Sequence, residues 1–524
     1  MSKRRKKSKS KGTPLIQQAI NSGKVKVSQG QSGQMAVQKK SNRTKVLMWG
    51  ASPFVITGFG VVSKKMLQNL FSAYPDQYEV YQVGINHTGD AYNEFDITGG
   101  TQNGRYQLWP AIQAGNNRTH LYGQQKFLQV LQHINVDFDV VFLFEDPFWV
   151  GGGVPGVNPP KAFIDAIKEI LARRGMGHVP VVSYFPIDGV PRRDWITNIA
   201  KVDFPITYLN FGVDACVRVV PELSGKLTAI PHGVDLNDFH PIDVREKRLF
   251  KRAMFGDAFA DRFMFLNVNR NQLRKLVPSN LLAFRAFREQ VGPDKAFIYL
   301  NMKTADVGWD LNKVCESLGL RVGVDVLFPP NFNVQKGLSL EQLNKVFNVA
   351  DVLTTTAVGG GWELALTQAF ATKTSVIAPH NTSHIELCGP QNEEADGTRG
   401  LLYKSGETLS RQIVFPHDNE VPRPLPNLED MVHKMLFAYS KPEFREKMED
   451  NAYNWVKDNL SWSRDVVPQF HKVFSAAKEL KADRIKGNNL MSAVSDMIEE
   501  VPEPKKEEKQ EGIKQIDLPG GTVI

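Results

Sequence analysis

The chain has 524 residues, of which 42% are hydrophobic and 23% are charged, and both fractions are ordinary for a globular protein. This length exceeds what one compact core accommodates and predicts two folded domains. No stretch approaches the ~20 apolar residues that cross a bilayer, and no apolar signal core follows Met1, so we expect a cytoplasmic protein. The three cysteines lie far apart in sequence, which excludes a metal-ligand motif.

The net charge of +8 comes from the N-terminal tail, because residues 1–45 contain thirteen Lys or Arg and no acidic residue. Residues 1–43 are rich in Gln, Ser, Gly and Lys, and we predict that they are disordered. Such a tail attracts nucleic acid or an anionic membrane surface, or only improves solubility, and the sequence leaves these alternatives open. Residues 481–524 form a second predicted low-complexity tail.

Between the tails, short apolar runs alternate with helical patterns such as Gly60–Phe71 and Pro278–Gln290. The first half contains five predicted strands: Lys45–Trp49, Glu79–Gly84, Asp139–Phe144, Pro180–Phe185 and Pro205–Leu209. The second half contains five more: Phe263–Val268, Ala296–Leu300, Asp325–Phe328, Asp351–Thr355 and Ser375–Ala378. The pattern predicts an α/β protein with two Rossmann-like doubly wound domains that face each other across a cleft.

The predicted domains are an N-terminal domain at 44–232, a C-terminal domain at 233–440, and closing helices at 441–480 that pack back on the first domain. The boundary falls near Ile230–Asp261, where the segment IPHGVDLNDFHP ends one domain and a charged stretch leads to the next predicted strand, FMFLNV.

The first motif is WGASPFVITGFGVVSKKML, in which Gly58 and Gly60 open a helix after a strand. Glycine allows close approach of a ligand to the backbone, and a helix N-terminus presents free N–H groups to an anion. A purely structural turn is the alternative, since Ser63 replaces the third glycine of the dinucleotide fingerprint.

The second motif is VSYFPIDGVP, where Asp188 follows a buried strand. A carboxylate there is suited to orienting or deprotonating an acceptor hydroxyl. The alternative is that Asp188 stabilises a turn before Gly189 and Pro191.

The third motif, FLNVNRNQLRKLVPSNLLAF, carries Arg270 and Lys275 between a strand and a helix. Two fixed cations suit a diphosphate whose charge grows as it departs. Solvated surface cations are the alternative interpretation.

The fourth motif, TTTAVGGGWELALTQAFATKTSVIAPHNTSHIEL, has three glycines before a helix that carries Glu363 and Gln368. The glycines indicate a backbone packed against a ligand, or alternatively a flexible loop. Glu363 or Gln368 would hold hydroxyl groups.

In this order and spacing, the four motifs resemble the family 4 glycosyltransferases of the GT-B fold, from about Lys45 to Ala477. The late segment NLSWSRDVVPQFHKVF resembles that family's closing helices. The resemblance implies a nucleotide-sugar donor in the C-terminal domain, an acceptor in the N-terminal domain, and no metal or other cofactor.

Carried over by position, Arg270 and Lys275 match the family's phosphate-binding cations. Gly58 and Gly60 match its loop near the sugar and diphosphate. The remaining donor-binding residues that the resemblance implies are Gly361, Trp362, Glu363, Leu364 and Gln368. Family members usually retain the configuration of the sugar through a front-face mechanism, in which the departing phosphate helps to deprotonate the acceptor. No dedicated base is then needed, and the resemblance implies that Asp188 orients the acceptor.

The chain departs from the family at its two glutamates, which stand eight positions apart around a Glu-Gly-Phe-Gly-Leu run. The matching positions here are Gly360 and Gln368, while Glu363 stands where a glycine is expected. We therefore expect a glycosyltransferase with an unidentified acceptor. The alternatives are a non-catalytic nucleotide-sugar-binding protein and, less favoured, a hydrolase or epimerase. A nucleic-acid acceptor is compatible with the basic tail, and the oligomeric state is not indicated.

Overall fold

The computed structural model describes residues 42–88, 91, 97, 105–112, 122–155, 158–330, 332, 337–416 and 418–487. The tails predicted to be disordered lie outside the described residues, except for their inner ends at 42–43 and 481–487. Within the described part, the chain is an α/β structure with two parallel sheets flanked by helices.

The first sheet has seven parallel strands in the order β3-β2-β1-β4-β5-β6-β7. Its strands are β1 (Thr44–Ala51), β2 (Tyr78–Thr88), β3 (Arg105–Ile112), β4 (Val140–Phe144), β5 (Val181–Tyr184), β6 (Phe204–Thr207) and β7 (Thr228–Ala229). The helices between them are α1 (Gly58–Ala73), α2 (Gln124–His133), α3 (Pro147–Gly151), α4 (Phe163–Arg173), α5 (Arg193–Ile199) and α6 (Asn210–Val219). Strands β4, β5 and β6 are buried along their whole length, as expected for parallel strands covered on both faces.

The second sheet has six parallel strands in the order β10-β9-β8-β11-β12-β13. Its strands are β8 (Phe263–Asn267), β9 (Ala296–Leu300), β10 (Val326–Leu327), β11 (Val352–Thr354), β12 (Ser375–Pro379) and β13 (Leu401–Tyr403). Its helices are α7 (Val244–Phe255), α8 (Val277–Val291), α9 (Leu311–Ser317), α10 (Leu340–Val349), α11 (Leu364–Ala371), α12 (Thr382–Cys388), α13 (Leu428–Ser440) and α14 (Pro442–Asn459). An antiparallel pair, β14 (Gln412–Val414) and β15 (Pro422–Pro424), forms a hairpin after β13.

Both sheets reverse their strand order at one point, between β1 and β4 in the first and between β8 and β11 in the second. In doubly wound sheets, ligands bind outside the carboxyl ends of the strands at such a switch point. The loops that follow β1, β4, β8 and β11 are therefore the places where a site is expected.

The structure confirms the predicted α/β class and the ten predicted strands, and it adds β3, β7, β13 and the hairpin. The sequence patterns of the added strands only weakly indicate a strand. The segment of β3 contains Pro110, β7 has two residues, and β13 has three. Pairing with a neighbouring strand, rather than local pattern, decides whether such segments are strands.

The last helix, α15 (Val467–Lys486), packs on the first sheet, although it follows the whole second half in sequence. The ring of Phe474 lies 5.3 Å from the ring of Phe142 in β4, and the Tyr78 hydroxyl lies 2.6 Å from Nδ1 of His471. The helix continues to Lys486, beyond the expected end at residue 480, and Leu480 and Lys481 in its last turns are buried.

Among the helices of the described ranges, none combines the length and the apolar composition that a bilayer crossing needs.

Candidate functional site

The loop after β1 positions Gly58 and Gly60 for different reasons. The Thr57 hydroxyl caps α1 by accepting a hydrogen bond of 3.1 Å from the Gly60 N–H. A Cβ on Gly60 would overlap the Val55 carbonyl oxygen, so this glycine is required by a tight turn of the protein itself. A Cβ on Gly58 would lie 3.6 Å from Cδ1 of Leu364, so Gly58 faces the first residue of α11 in the second half.

Lys275 and Glu363 form an ion pair in the interior, where their side chains are only 8% and 5% exposed. Lys275 ends a short 3₁₀ turn after β8, and Glu363 precedes α11 after β11. The two residues therefore follow the two strands that flank the switch point of the second sheet. Sequence reasoning placed both at the site, and the structure brings them into contact.

Burial lowers the pKa of Lys275 to about 8, although the facing carboxylate of Glu363 favours the charged form. Burial alone would raise the pKa of Glu363, but Lys275, His384 and Arg274 together outweigh this effect and hold the pKa below its ordinary value. At pH 7 the pair is therefore an ammonium and a carboxylate. Lys275 loses its positive charge at a lower pH than an exposed lysine does.

The three glycines at 359–361 pack against protein groups. A Cβ on Gly359 would overlap the Asp188 carbonyl oxygen, and a Cβ on Gly361 would overlap the Pro186 side chain. Both neighbours belong to the loop after β5 in the first domain. Gly359 and Gly361 therefore allow the loops of the two domains to pack against each other, and the donor contact predicted for Gly361 stays a prediction.

Gly360 makes room for the carboxylate of Glu363, because a Cβ at position 360 would overlap that side chain. Glu363 itself has φ +66°, in the left-handed region that favours glycine. The chain thus has a glutamate where the family resemblance implies a glycine, and a glycine where it implies a glutamate. The carboxylate of Glu363 occupies the space next to position 360.

Asp188 is bound by two arginines that the sequence analysis did not single out. Arg423 Nη1 donates hydrogen bonds to the Asp188 carbonyl oxygen at 2.5 Å and to its Oδ1 at 3.0 Å. Arg274 Nη1 lies 3.9 Å from Asp188 Oδ2 and donates to the Gly359 carbonyl oxygen at 2.9 Å. Burial would raise the pKa of Asp188, but Arg423 and Arg274 together hold it below its ordinary value. Such a carboxylate is a weak base and is suited to positioning.

Arg270, which the sequence analysis expected to bind a diphosphate together with Lys275, is paired with Asp306. Its Nε donates to Asp306 Oδ2 at 2.6 Å, and its side chain is 49% exposed. Asp306 follows β9, away from the switch point between β8 and β11. The cation that joins Lys275 near Asp188 is Arg274, which adjoins Lys275 in sequence.

Trp362 and Gln368, two further predicted donor-binding residues, have different surroundings. The indole of Trp362 is 3% exposed, and its ring centroid lies 5.3 Å from that of His232. This ring therefore contributes to the core where the chain passes between the domains. Gln368 and Leu364 line a separate pocket together with Lys65 of α1, which forms ion pairs with Asp235 and Asp238.

Asp146 is a further acidic residue that sequence reasoning missed. It follows Glu145, the first residue after β4, at the switch point of the first sheet. Burial and the nearby Asp188 raise its pKa to about 7, although Arg274 opposes this shift. Its signal was present in the sequence as an acidic pair, Glu145 and Asp146, immediately after the apolar run VVFLF.

No protein-family model matches the sequence, and a search of curated proteins gave no match. Similar solved structures include a sucrose-phosphate synthase from Thermosynechococcus elongatus, with 15% identity and a TM-score of 0.59 over 83% of this chain and 99% of that one. Anabaena HepE in complex with UDP and glucose is similar with 12% identity and a TM-score of 0.54 over 83% of this chain and 100% of that one. An α,α-trehalose 6-phosphate synthase from Burkholderia multivorans is similar with 12% identity and a TM-score of 0.54 over 85% of this chain and 100% of that one. The chain therefore has the GT-B fold of glycosyltransferases.

Proposed function

We propose that this protein is a glycosyltransferase that transfers a sugar from a nucleotide-sugar donor to the hydroxyl group of an acceptor. We propose that the donor is a UDP-sugar, because the similar HepE structures contain UDP or UDP-glucose. The observation that carries the proposal is the buried Lys275–Glu363 pair at the switch point of the second sheet.

Lys275 supplies the positive charge for the donor. Its ammonium lies in a poorly solvated site, where its attraction to a diphosphate is stronger than in water. Arg274 adds a second cation that is 31% exposed and already oriented by the Gly359 carbonyl oxygen. Charge that develops on the departing diphosphate is stabilised by these preorganised groups. The family resemblance gives Arg270 the same role, and we propose it as a peripheral contact that must first leave Asp306.

Glu363 supplies the carboxylate that the family resemblance leaves vacant at position 360. A carboxylate next to Lys275 accepts hydrogen bonds from sugar hydroxyl groups and orients the donor. The non-catalytic alternative was motivated by the missing glutamate at 360. Because the Glu363 side chain fills the space beside Gly360, that motive is weakened, and we favour the active enzyme.

We propose that the reaction needs no metal and retains the configuration at the anomeric carbon. Lys275 and Arg274 provide charge that a divalent cation would otherwise supply. Asp188 is a weak base because Arg423 and Arg274 hold its proton affinity low, so the acceptor proton passes to the departing diphosphate oxygen. Activity that persists in EDTA and an NMR assignment of the product anomer test these two statements.

A two-stage assay tests the function with the full-length protein. In the first stage, thermal unfolding is measured with UDP, ADP and GDP. In the second stage, sugar donors that carry the most stabilising nucleotide are tested for slow hydrolysis by the protein. We expect UDP to raise the unfolding temperature and one UDP-sugar to be hydrolysed, with both effects lost in Lys275→Met. A protein that binds UDP without consuming any donor supports the non-catalytic alternative. Absence of any nucleotide effect contradicts the proposal.

A further inference from the structure

The hairpin of the second domain is joined to the first domain by a buried arginine. Arg423 lies in β15, and its completely buried side chain contacts carboxylates from both domains. Its Nη1 donates to Asp188 Oδ1 at 3.0 Å, and its Nε donates to Asp418 Oδ2 at 3.0 Å. Asp188 follows β5 in the first domain, whereas Asp418 lies between the two strands of the hairpin. A guanidinium binds two carboxylates in this way only while both remain within reach.

A second polar contact joins the domains at the start of α6. The carboxylate of Glu386, in α12 of the second domain, accepts hydrogen bonds from the backbone N–H groups of Asn210 at 3.4 Å and Phe211 at 3.2 Å. The side-chain amide of Asn210 donates to the same carboxylate at 3.1 Å. These donors lie in the first turn of α6 in the first domain, where the helix dipole favours a negative charge. This contact shares no residue with the arginine contact of the hairpin.

The domains are packed closely over the proposed donor site. A Cβ on Gly359 would overlap the Asp188 carbonyl oxygen, and a Cβ on Gly361 would overlap the Pro186 side chain. Two cavities between the domains have volumes of about 20 and 30 Å³. Each has room for one or two water molecules, whereas small-molecule sites usually measure roughly 300–1,000 Å³. A nucleotide therefore reaches Lys275, which is 8% exposed, only when the domains separate.

We propose that Arg423 and Glu386 form a latch that keeps the ligand-free protein closed, and that the nucleotide enters only after this latch opens. Opening is reversible because it leaves no carboxylate buried without a partner. Arg423 keeps Asp418 within the hairpin, and Asp188 and Glu386 become accessible to water. The inference goes beyond the proposed function, on which it rests only for the identity of the nucleotide.

A latch of this kind makes binding follow opening. The nucleotide binds the separated conformation, so its association is limited by how often the latch opens. Weakening either contact should therefore accelerate association. An ordinary preformed site would not respond to a change at Glu386, which lies in the contact with α6 and not among the proposed donor-binding residues.

Opening is measured without any ligand by double electron–electron resonance on the full-length protein. Spin labels are attached through Arg173→Cys at the end of α4 and Lys313→Cys in α9, two exposed positions in different domains. The native cysteines at 216, 315 and 388 are buried, so labelling is directed to the introduced ones. We expect one narrow distance distribution in the labelled parent protein.

Two variants weaken the latch. In Arg423→Lys the single ammonium no longer bridges two carboxylates, and in Glu386→Ala the acceptor at α6 is removed. Each should raise the population of a second distance about tenfold, as expected for the loss of one charge-assisted hydrogen bond. Glu289→Ala, which removes an exposed ion pair with Arg285 inside α8, is the matched control and should leave the distribution unchanged.

Stopped-flow tryptophan fluorescence with UDP gives the kinetic readout. In the parent protein, the observed rate of association should level off at the opening rate as the UDP concentration rises. We expect this limit to increase about tenfold in Glu386→Ala and to stay the same in Glu289→Ala. A rate that rises linearly with UDP in the parent protein contradicts the gating of the nucleotide by the latch.

The outcomes separate the latch from the proposed function. Two populated distances in the ligand-free parent protein, or unchanged distributions in both latch variants with normal unfolding temperatures, overturn the latch. If the distributions respond as expected and UDP gives no binding signal, the latch stands and the proposed donor is contradicted. Should Arg423→Lys fail to fold, Glu386→Ala decides, because its contact lies at the surface end of α6.

Discussion

The carboxyl edges of the two sheets carry different charged groups. At the first sheet, Asp146 and Asp188 follow adjacent strands, and both are carboxylates. At the second sheet, Arg274 and Lys275 follow β8, and Glu363 pairs with the lysine. The same architecture therefore presents an acidic edge in one domain and a predominantly cationic edge in the other.

This difference suggests a division of labour between two similar sheets. A diphosphate is attracted more strongly to the edge of the second sheet, where Arg274 and Lys275 lie, than to the edge of the first, where Asp188 is already paired with Arg423 and Arg274. Arg423 and Arg274 bridge the two edges through Asp188. The following variants test this contrast, beginning with the largest expected effect.

Replacing Lys275 with methionine removes the buried cation at the second edge. We expect kcat/KM for donor consumption to fall on the order of 10²–10³-fold, which is about 3–4 kcal/mol of lost charge stabilisation. The variant also leaves Glu363 buried without its partner, at a cost of about 3–5 kcal/mol in the free energy of unfolding.

The double variant Lys275→Met/Glu363→Gln is the control for that destabilisation. Because it removes both charges, we expect it to recover stability in thermal unfolding while remaining inactive. If activity returned with stability, Lys275 would have only a structural role.

Exchanging positions 360 and 363 tests how the carboxylate reaches the site. Glu363→Gly should lower kcat/KM on the order of 10-fold to 10²-fold, since a charged hydrogen bond contributes about 1.5–3 kcal/mol. The double variant Gly360→Glu/Glu363→Gly restores a carboxylate from the position that the family resemblance implies. We expect it to regain most of the activity, as measured by initial rates of donor consumption. Failure of this rescue, with a normal unfolding temperature, would show that the carboxylate must be supplied from position 363, because glycine at 363 still permits the left-handed backbone.

The two arginines after β8 provide a matched pair. Arg274→Ala should raise the donor KM about tenfold or more, because this cation lies beside Asp188 and the Gly359 carbonyl oxygen. Arg270→Ala should change it by less than about fivefold, as expected for a half-exposed side chain already paired with Asp306. A larger loss from Arg270→Ala would show that this arginine leaves Asp306 when the donor binds.

The smallest effect is expected from pH. Since the pKa of Lys275 is lowered to about 8, its ammonium is present below that pH and is lost above it. We therefore expect kcat/KM to decline as the pH rises through about 8. We expect kcat to decline only at a higher pH, because a bound diphosphate stabilises the charged form of Lys275. The Lys275→Arg variant should not show this decline, because arginine keeps its charge. An unchanged decline in that variant would assign the titration to a group other than Lys275.

Much of the fold could be predicted from the sequence, because buried parallel strands such as VVFLF and SVIAP are continuous apolar runs. Lys275 and Glu363 could likewise be predicted as site residues, because they follow predicted strands and Glu363 lies beside a run of glycines. Arg423 was not, since its partner Asp188 lies 235 positions away and only the tertiary fold brings them together. The packing of Gly359 against Asp188 was hidden for the same reason, because a glycine run does not reveal whether a ligand or a protein loop approaches it.

The position of α15 has a consequence for biosynthesis. Phe470 and Phe474 cover Phe142 in the first sheet, so the first domain lacks part of its core until residues near 474 have been made. The nascent first half therefore exposes an apolar face throughout synthesis of the second half. Truncation before Val467 is expected to yield aggregation-prone chains, even though every strand of both sheets is retained.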